Sequence, residues 1–111
     1  MASVLAKLRH YRVAPRKVRL VADLVRGRPV QEALDLLAFA KTASARDVWK
    51  LIRSAVTNAD RRGGIDVDTL VVKTIMVDQG PTLRRSLPRA RGSASRINKK
   101  TSHVTGILEE V

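Results

Sequence analysis

Seven cations, Arg84, Arg85, Arg89, Arg91, Arg96, Lys99 and Lys100, follow one another with no acidic residue anywhere between Asp78 and Glu109. Unpaired cations this dense repel one another in water. They are favourable beside a polyanion, where each phosphate neutralised releases counterions. Arginine outnumbers lysine five to two, and its guanidinium fork grips phosphate with two bonds and stacks on bases. The chemistry on offer is phosphate recognition.

Further groups extend that reading. Thr101, Ser102 and His103 follow Lys100, and their hydroxyls and imidazole suit hydrogen bonds to phosphate or a ribose 2′-hydroxyl. A plain strand surface accounts equally well for Thr101 and Ser102. Near the N-terminus, Arg16, Arg19 and Arg26 share one face of an expected helix, and Arg9 and Arg12 precede them. Lys17 lies closer to the apolar side, along which its stem can extend. We expect a second RNA contact here. Asp23 can pair with Arg19 or Arg26. The aromatics are only Tyr11, Phe39 and Trp49, too few for the stacking platforms of single-strand binders. Phe39 and Trp49 read as packing residues, and Tyr11 as a candidate base contact. Recognition through backbone and shape follows.

Catalysis finds little material. His10 and His103 are the only histidines and cysteine is absent. No paired-histidine, phosphate-loop or serine-elbow motif occurs. Asp66 and Asp68 read as a turn leading into a strand. No enzymatic activity, cofactor or metal is expected.

The elements that carry these groups are readable from periodicity. Residues 3–13 alternate as a half-buried strand. Pro15 opens a helix with Val18, Val21, Ala22 and Val25 on one face, and Gly27 suits its C-terminal end. Pro29 starts a second helix with Val30, Ala33, Leu34 and Leu37 inward. A third helix, with Ser44 as cap and Asp47 completing a capping box, buries Val48, Leu51, Ile52, Ala55, Val56 and Ala59 and ends at Gly63 and Gly64. Residues 70–77 and 104–108 are strands. Between them the basic stretch is too long for an ordinary loop. It is expected as a direct outward continuation of both strands, about a dozen residues a leg and roughly 30–40 Å long, with Pro88 and Gly92 at its tip.

Charge divides the 111 residues the same way. Residues 1–28 hold eight basic residues against Asp23, a net +7; residues 29–78 hold seven of each sign; residues 79–111 hold seven basic residues against Glu109 and Glu110, a net +5. A neutral body between two cationic segments points to one domain. No secretory leader or membrane-spanning run is apparent, and absent cysteine fits a reducing compartment.

Four segments together carry a resemblance: 14–21 (Ala-Pro-Arg-Lys-Val-Arg-Leu-Val) with Arg26-Gly27 after it, 77–81 (Val-Asp-Gln-Gly-Pro), 87–92 (Leu-Pro-Arg-Ala-Arg-Gly) and 99–105 (Lys-Lys-Thr-Ser-His-Val-Thr). In this order and spacing they resemble the ribosomal protein L-twenty-two family of the large subunit, in its bacterial form, nearly end to end. The resemblance implies an α+β fold: three helices packed on a small three-stranded antiparallel sheet, with a long protruding β-hairpin at about 79–103. It implies a single domain, 1–111, that binds large-subunit rRNA, aids assembly and lines the peptide exit tunnel with Leu83, Arg84, Arg85, Pro88, Arg89, Ala90, Arg91, Gly92 and Ser93. The implied partners are the 23S-type rRNA, neighbouring ribosomal proteins and the nascent polypeptide. No membrane and no homo-oligomer are expected, and the implied location is the ribosome, in the cytoplasm. Ser93 stands where the family often has Arg or Lys. Ala14 stands where a serine often caps the first helix, a loss of ~1 kcal/mol. The rival reading is a DNA-bending architectural protein with a basic β-arm, which would be a symmetric dimer with an apolar wedge at the tip.

Overall fold

In a computed structural model, which describes residues 3–88 and 94–110, the elements run β1 Ser3–Tyr11, α1 Pro15–Val25, α2 Val30–Phe39, α3 Ala43–Arg62, β2 Leu70–Gln79, β3 Leu83–Pro88, β4 Ala94–Lys99 and β5 Ser102–Glu110. The expected α+β class is the one observed. β5 lies between β1 and β2 in an antiparallel three-stranded sheet, while β3 and β4 form a separate antiparallel pair.

Helices cover one face of the sheet. The stripes read from sequence are the buried ones: Val18, Val21, Ala22 and Val25 on α1, Val30, Ala33, Leu34 and Leu37 on α2, and Val48 through Ala59 on α3. They meet Ala6, Leu70, Val72, Ile75, Val77, Val104 and Leu108 from the strands. Of the aromatics, Trp49 packs half-buried against this core. Phe39, expected to pack, is instead 88% exposed, because it lies off the α2 stripe at the helix end.

Two bulges keep the strands' apolar residues facing inward. On β2 the inward residues are Leu70 and Val72, then Ile75 and Val77. The parity changes because the ladder slips between Val72 and Thr74, leaving Lys73 as an extra residue. On β1, Leu8 pairs with Val104 but Tyr11 with Ser102, so Arg9 and His10 oppose His103 alone. His10 occupies the left-handed region at φ 56°. Its N–H donates to His103 Nδ1 at 3.1 Å, and the rings meet edge to face with centroids 4.9 Å apart.

Several local expectations need correcting. α3 is capped by the Thr42 backbone position, without a side-chain bond. Ser44 is buried inside the first turn, and Asp47 accepts a hydrogen bond from Tyr11 Oη instead of completing a capping box. At α1, Ala14 is the N-cap and supplies no side-chain bond, as its methyl requires. Gly27 (φ 82°) follows the C-cap Arg26. Asp66 caps a short 3₁₀ turn by accepting from Asp68 N, the turn expected.

The arm also differs from expectation. β2 and β5 do not run on into it: 80–82 and 100–101 are non-strand residues between the two ladders. The β3–β4 ladder pairs Leu83 with Lys99 through Pro88 with Ala94, six positions a leg, or about 20 Å at strand rise. Of the sequence-based tip, Pro88 to Ser93, Pro88 ends β3 opposite Ala94 and residues 89–93 lie outside the described residues. Extents of 65 × 25 × 17 Å and a radius of gyration of 17.2 Å exceed the roughly 13 Å of a compact chain this long.

Candidate nucleic-acid interface

The interface begins at the root of the arm. Gly80 N–H donates to Thr101 O at 2.9 Å, and Thr101 Oγ1 donates to Pro81 O at 2.6 Å. This clasp ties the legs together where they leave the body. Gly80 sits so close that an added Cβ would lie 2.6 Å from Thr101 Oγ1 and 3.1 Å from the His103 ring. Thr101 and Ser102 are buried, Ser102 completely, and Ser102 Oγ donates to Val13 O at 2.5 Å. Two residues expected to reach RNA are therefore taken up by the fold: each hydroxyl satisfies a backbone carbonyl inside the chain, and neither has surface left to offer. His103 stays half-buried beside them, and Lys100 is exposed.

Beyond the clasp, Arg84 and Arg85 occupy register positions opposite Asn98 and Ile97, and Arg96 pairs with Ser86. The β3–β4 backbone thus brings the cations of both legs onto one ladder. Of the expected contacts here, Arg89, Ala90, Arg91, Gly92 and Ser93 lie outside the described residues.

On the body, Arg9, Arg12, Arg16 and Lys17 are exposed. Arg9, Lys7, His10, Asp78, His103 and Thr105 line a shallow groove of about 280 Å³ next to the arm's root. Groups of both N-terminal and C-terminal cationic segments therefore meet on one side. Arg19 and Arg26 behave differently from a simple basic face. Arg19 donates through Nε and Nη2 to Val77 O at 3.3 and 3.1 Å, and Arg26 Nη2 donates to Ile75 O at 2.8 Å while Nη1 pairs with Asp23. These carbonyls point out from the free edge of β2. Gly27 N–H completes the series by donating to Val72 O at 2.7 Å, and Val72 N–H donates to Arg28 O. An unprotected sheet edge invites strand pairing; α1 and the turn after it close this one.

Tyr11, the candidate base contact, has its hydroxyl engaged by Asp47. Partial burial first, and then the bond to and charge of Asp47, push its pKa up to about 12, against an opposing hydrogen bond from Ser44. Sequence reasoning missed this pair and the edge-capping arginines because their partners lie 36 to 58 residues away. No local periodicity reports such distances.

What stands is a small α+β body with a separate two-stranded arm, with Lys7 and Arg9 in the groove beside His103 at its root. The profile of the family described as ribosomal protein L22p/L17e matches residues 6–109, and the chain belongs to that family. It is similar to proteins named large ribosomal subunit protein uL22: 63% identical over 100 residues to that of Anaeromyxobacter sp. (strain Fw109-5), covering 89% of this chain and 69% of the relative. Identity is 57% over 107 residues to that of Myxococcus xanthus, covering 95% and 94%. It is 54% over 105 residues to that of Syntrophotalea carbinolica, covering 95% and 96%. The family is a structural component of the ribosome and not an enzyme, which locates the chain on cytoplasmic ribosomes. Among the described residues no helix is long and apolar enough to cross a membrane.

Proposed function

We propose that this protein is a structural constituent of the large ribosomal subunit that binds large-subunit rRNA through backbone and shape, aids its assembly, and lines the nascent peptide exit tunnel with its hairpin. The whole chain acts as one rRNA-binding domain, with the hairpin at about 79–103 as its reaching part. Its partners are the rRNA, neighbouring ribosomal proteins and the nascent chain. The observation that carries this reading is the arm: a ladder separate from the body sheet, in a stretch free of acidic residues from Gln79 to Leu108. A two-stranded ribbon is only marginally stable in water, and this one gains stability when packed among phosphates. Arg9, Arg12, Arg16 and Lys17 supply the second contact from the body. The half-buried His103 and exposed Lys100 join the two. The DNA-bending alternative is set aside, since the family is ribosomal.

The test is the salt dependence of binding to large-subunit rRNA. Replacing Arg84, Arg85, Arg89 and Arg91 by alanine should flatten the slope of log K against log salt by up to ~0.7–0.9 for each lost phosphate contact. An unchanged slope would mean that these side chains point into water.

A further inference from the structure

The two edges of the body sheet are closed unequally. On β1, Ser3 O accepts from Arg62 Nη1 at 2.8 Å and Leu5 O accepts from Asn58 Nδ2 at 3.4 Å. Both carbonyls therefore face away from β5. Backbone direction alternates along a strand, so the N–H and C=O of Lys7 face the same free edge. The α3 residue one turn before Asn58 and two before Arg62 is Ser54, which is exposed and too short to follow the pattern. Among the described residues nothing in the chain bonds to the outward backbone groups of Lys7. In their place lies an open groove of about 590 Å³ lined by Leu5, Ala6, Lys7, Arg9, Ser54 and Asn58. Lys50, one turn further back, faces the adjoining hollow with Lys7, Ser54 and Asp47, the last already bonded to Tyr11 Oη. Among the described residues Lys7, Arg9 and Lys50 have no carboxylate within ion-pair distance. On the opposite edge, both outward backbone groups of Val72 and the outward carbonyls of Ile75 and Val77 are taken, so each carbonyl in that series has a donor and, among the described residues, the one at Lys7 has none.

We propose that this opening on β1 is a docking site for an extended, acidic polypeptide segment of a neighbouring protein, which adds to the sheet beside Lys7. A strand edge presents a donor and an acceptor side by side, and another backbone satisfies both. A phosphate can accept from the N–H but gives the carbonyl no donor. The cationic rim favours Asp or Glu side chains on the incoming segment, and the groove between β1 and α3 accepts its alternate side chains. This is a protein contact distinct from the rRNA contacts of the arm, and it rests on the ribosomal reading above.

The test uses large subunits isolated from cells that express the full chain with photoreactive benzoylphenylalanine at position 54. Irradiation should join this position to an acidic, extended segment of another ribosomal protein, identified by mass spectrometry. The Lys7 amide should exchange at least tenfold more slowly in the subunit than in the free protein. Ser54→Arg, which extends the capping series by one turn, should return that exchange to the free-protein rate while the protein still joins the subunit. Cross-links to rRNA alone, or equal Lys7 exchange in the free and assembled protein, would overturn the docking site while leaving the ribosomal reading intact. A chain that fails to sediment with the subunit would overturn both.

Discussion

Single residues in this protein are spent on closing gaps that the backbone leaves. Tyr11 reaches across to Asp47, and removing its hydroxyl should cost about 1 kcal/mol, as for a typical partly buried hydrogen bond. The fold holds the phenol protonated. Its folded pKa of about 12 lies above the ordinary 10.0, so the contribution is complete below about pH 10 and is lost as pH rises toward 12. Denaturant titrations should show Tyr11→Phe less stable than the parent at pH 7, with the gap narrowing across that alkaline window. A gap that stays constant would mean the hydroxyl is not the donor. Gly80 closes the root of the arm with no room to spare. In Gly80→Ala the new methyl would displace Thr101 Oγ1 from Pro81 O, and a loss of about 1–3 kcal/mol is expected from overpacking, read as a lowered Tm.

Among the elements, the arm stands apart. Its strands pair with each other in a ladder separate from the body sheet. Deleting residues 83–97 should therefore leave a body with native circular dichroism and cooperative unfolding, still able to bind rRNA more weakly. Failure of the shortened chain to fold would refute the division into body and arm. The clasp of Gly80, Pro81 and Thr101 remains in that variant and closes the shortened turn. The three helices were the most legible elements because each buries one stripe at helical spacing, so local pattern and tertiary demand agree. The arm's interruption was not legible. Gly80 N–H still reaches Thr101 O, but from Gln79 with Ser102 to Leu83 with Lys99 one leg advances four residues and the other three, a shift of pairing that no local pattern reports.

At the scale of the whole molecule, charge and shape act together. The formal net charge is +12, and among the described residues the neutral middle of the chain supplies most of the core. Such a molecule repels its own copies. It should run as a monomer alone in sedimentation and remain with large subunits through moderate salt. A symmetric dimer that compacts duplex DNA would instead revive the DNA-bending reading.

Composition and periodicity by themselves determined the helices, the inward stripes, the placement of the sheet strands and the acid-free cationic run, because each is a local property of the chain. The four quoted segments were enough for the family. Only the tertiary structure decided which polar groups remain available. It withdrew Thr101 and Ser102 from the surface, committed Arg19 and Arg26 to the edge of β2, tied Tyr11 to Asp47 and left the edge of β1 open beside Ser54. Those outcomes depend on backbone groups brought together from distant parts of the chain, and a hydrogen bond is set by distance and direction in space, which residue order does not specify.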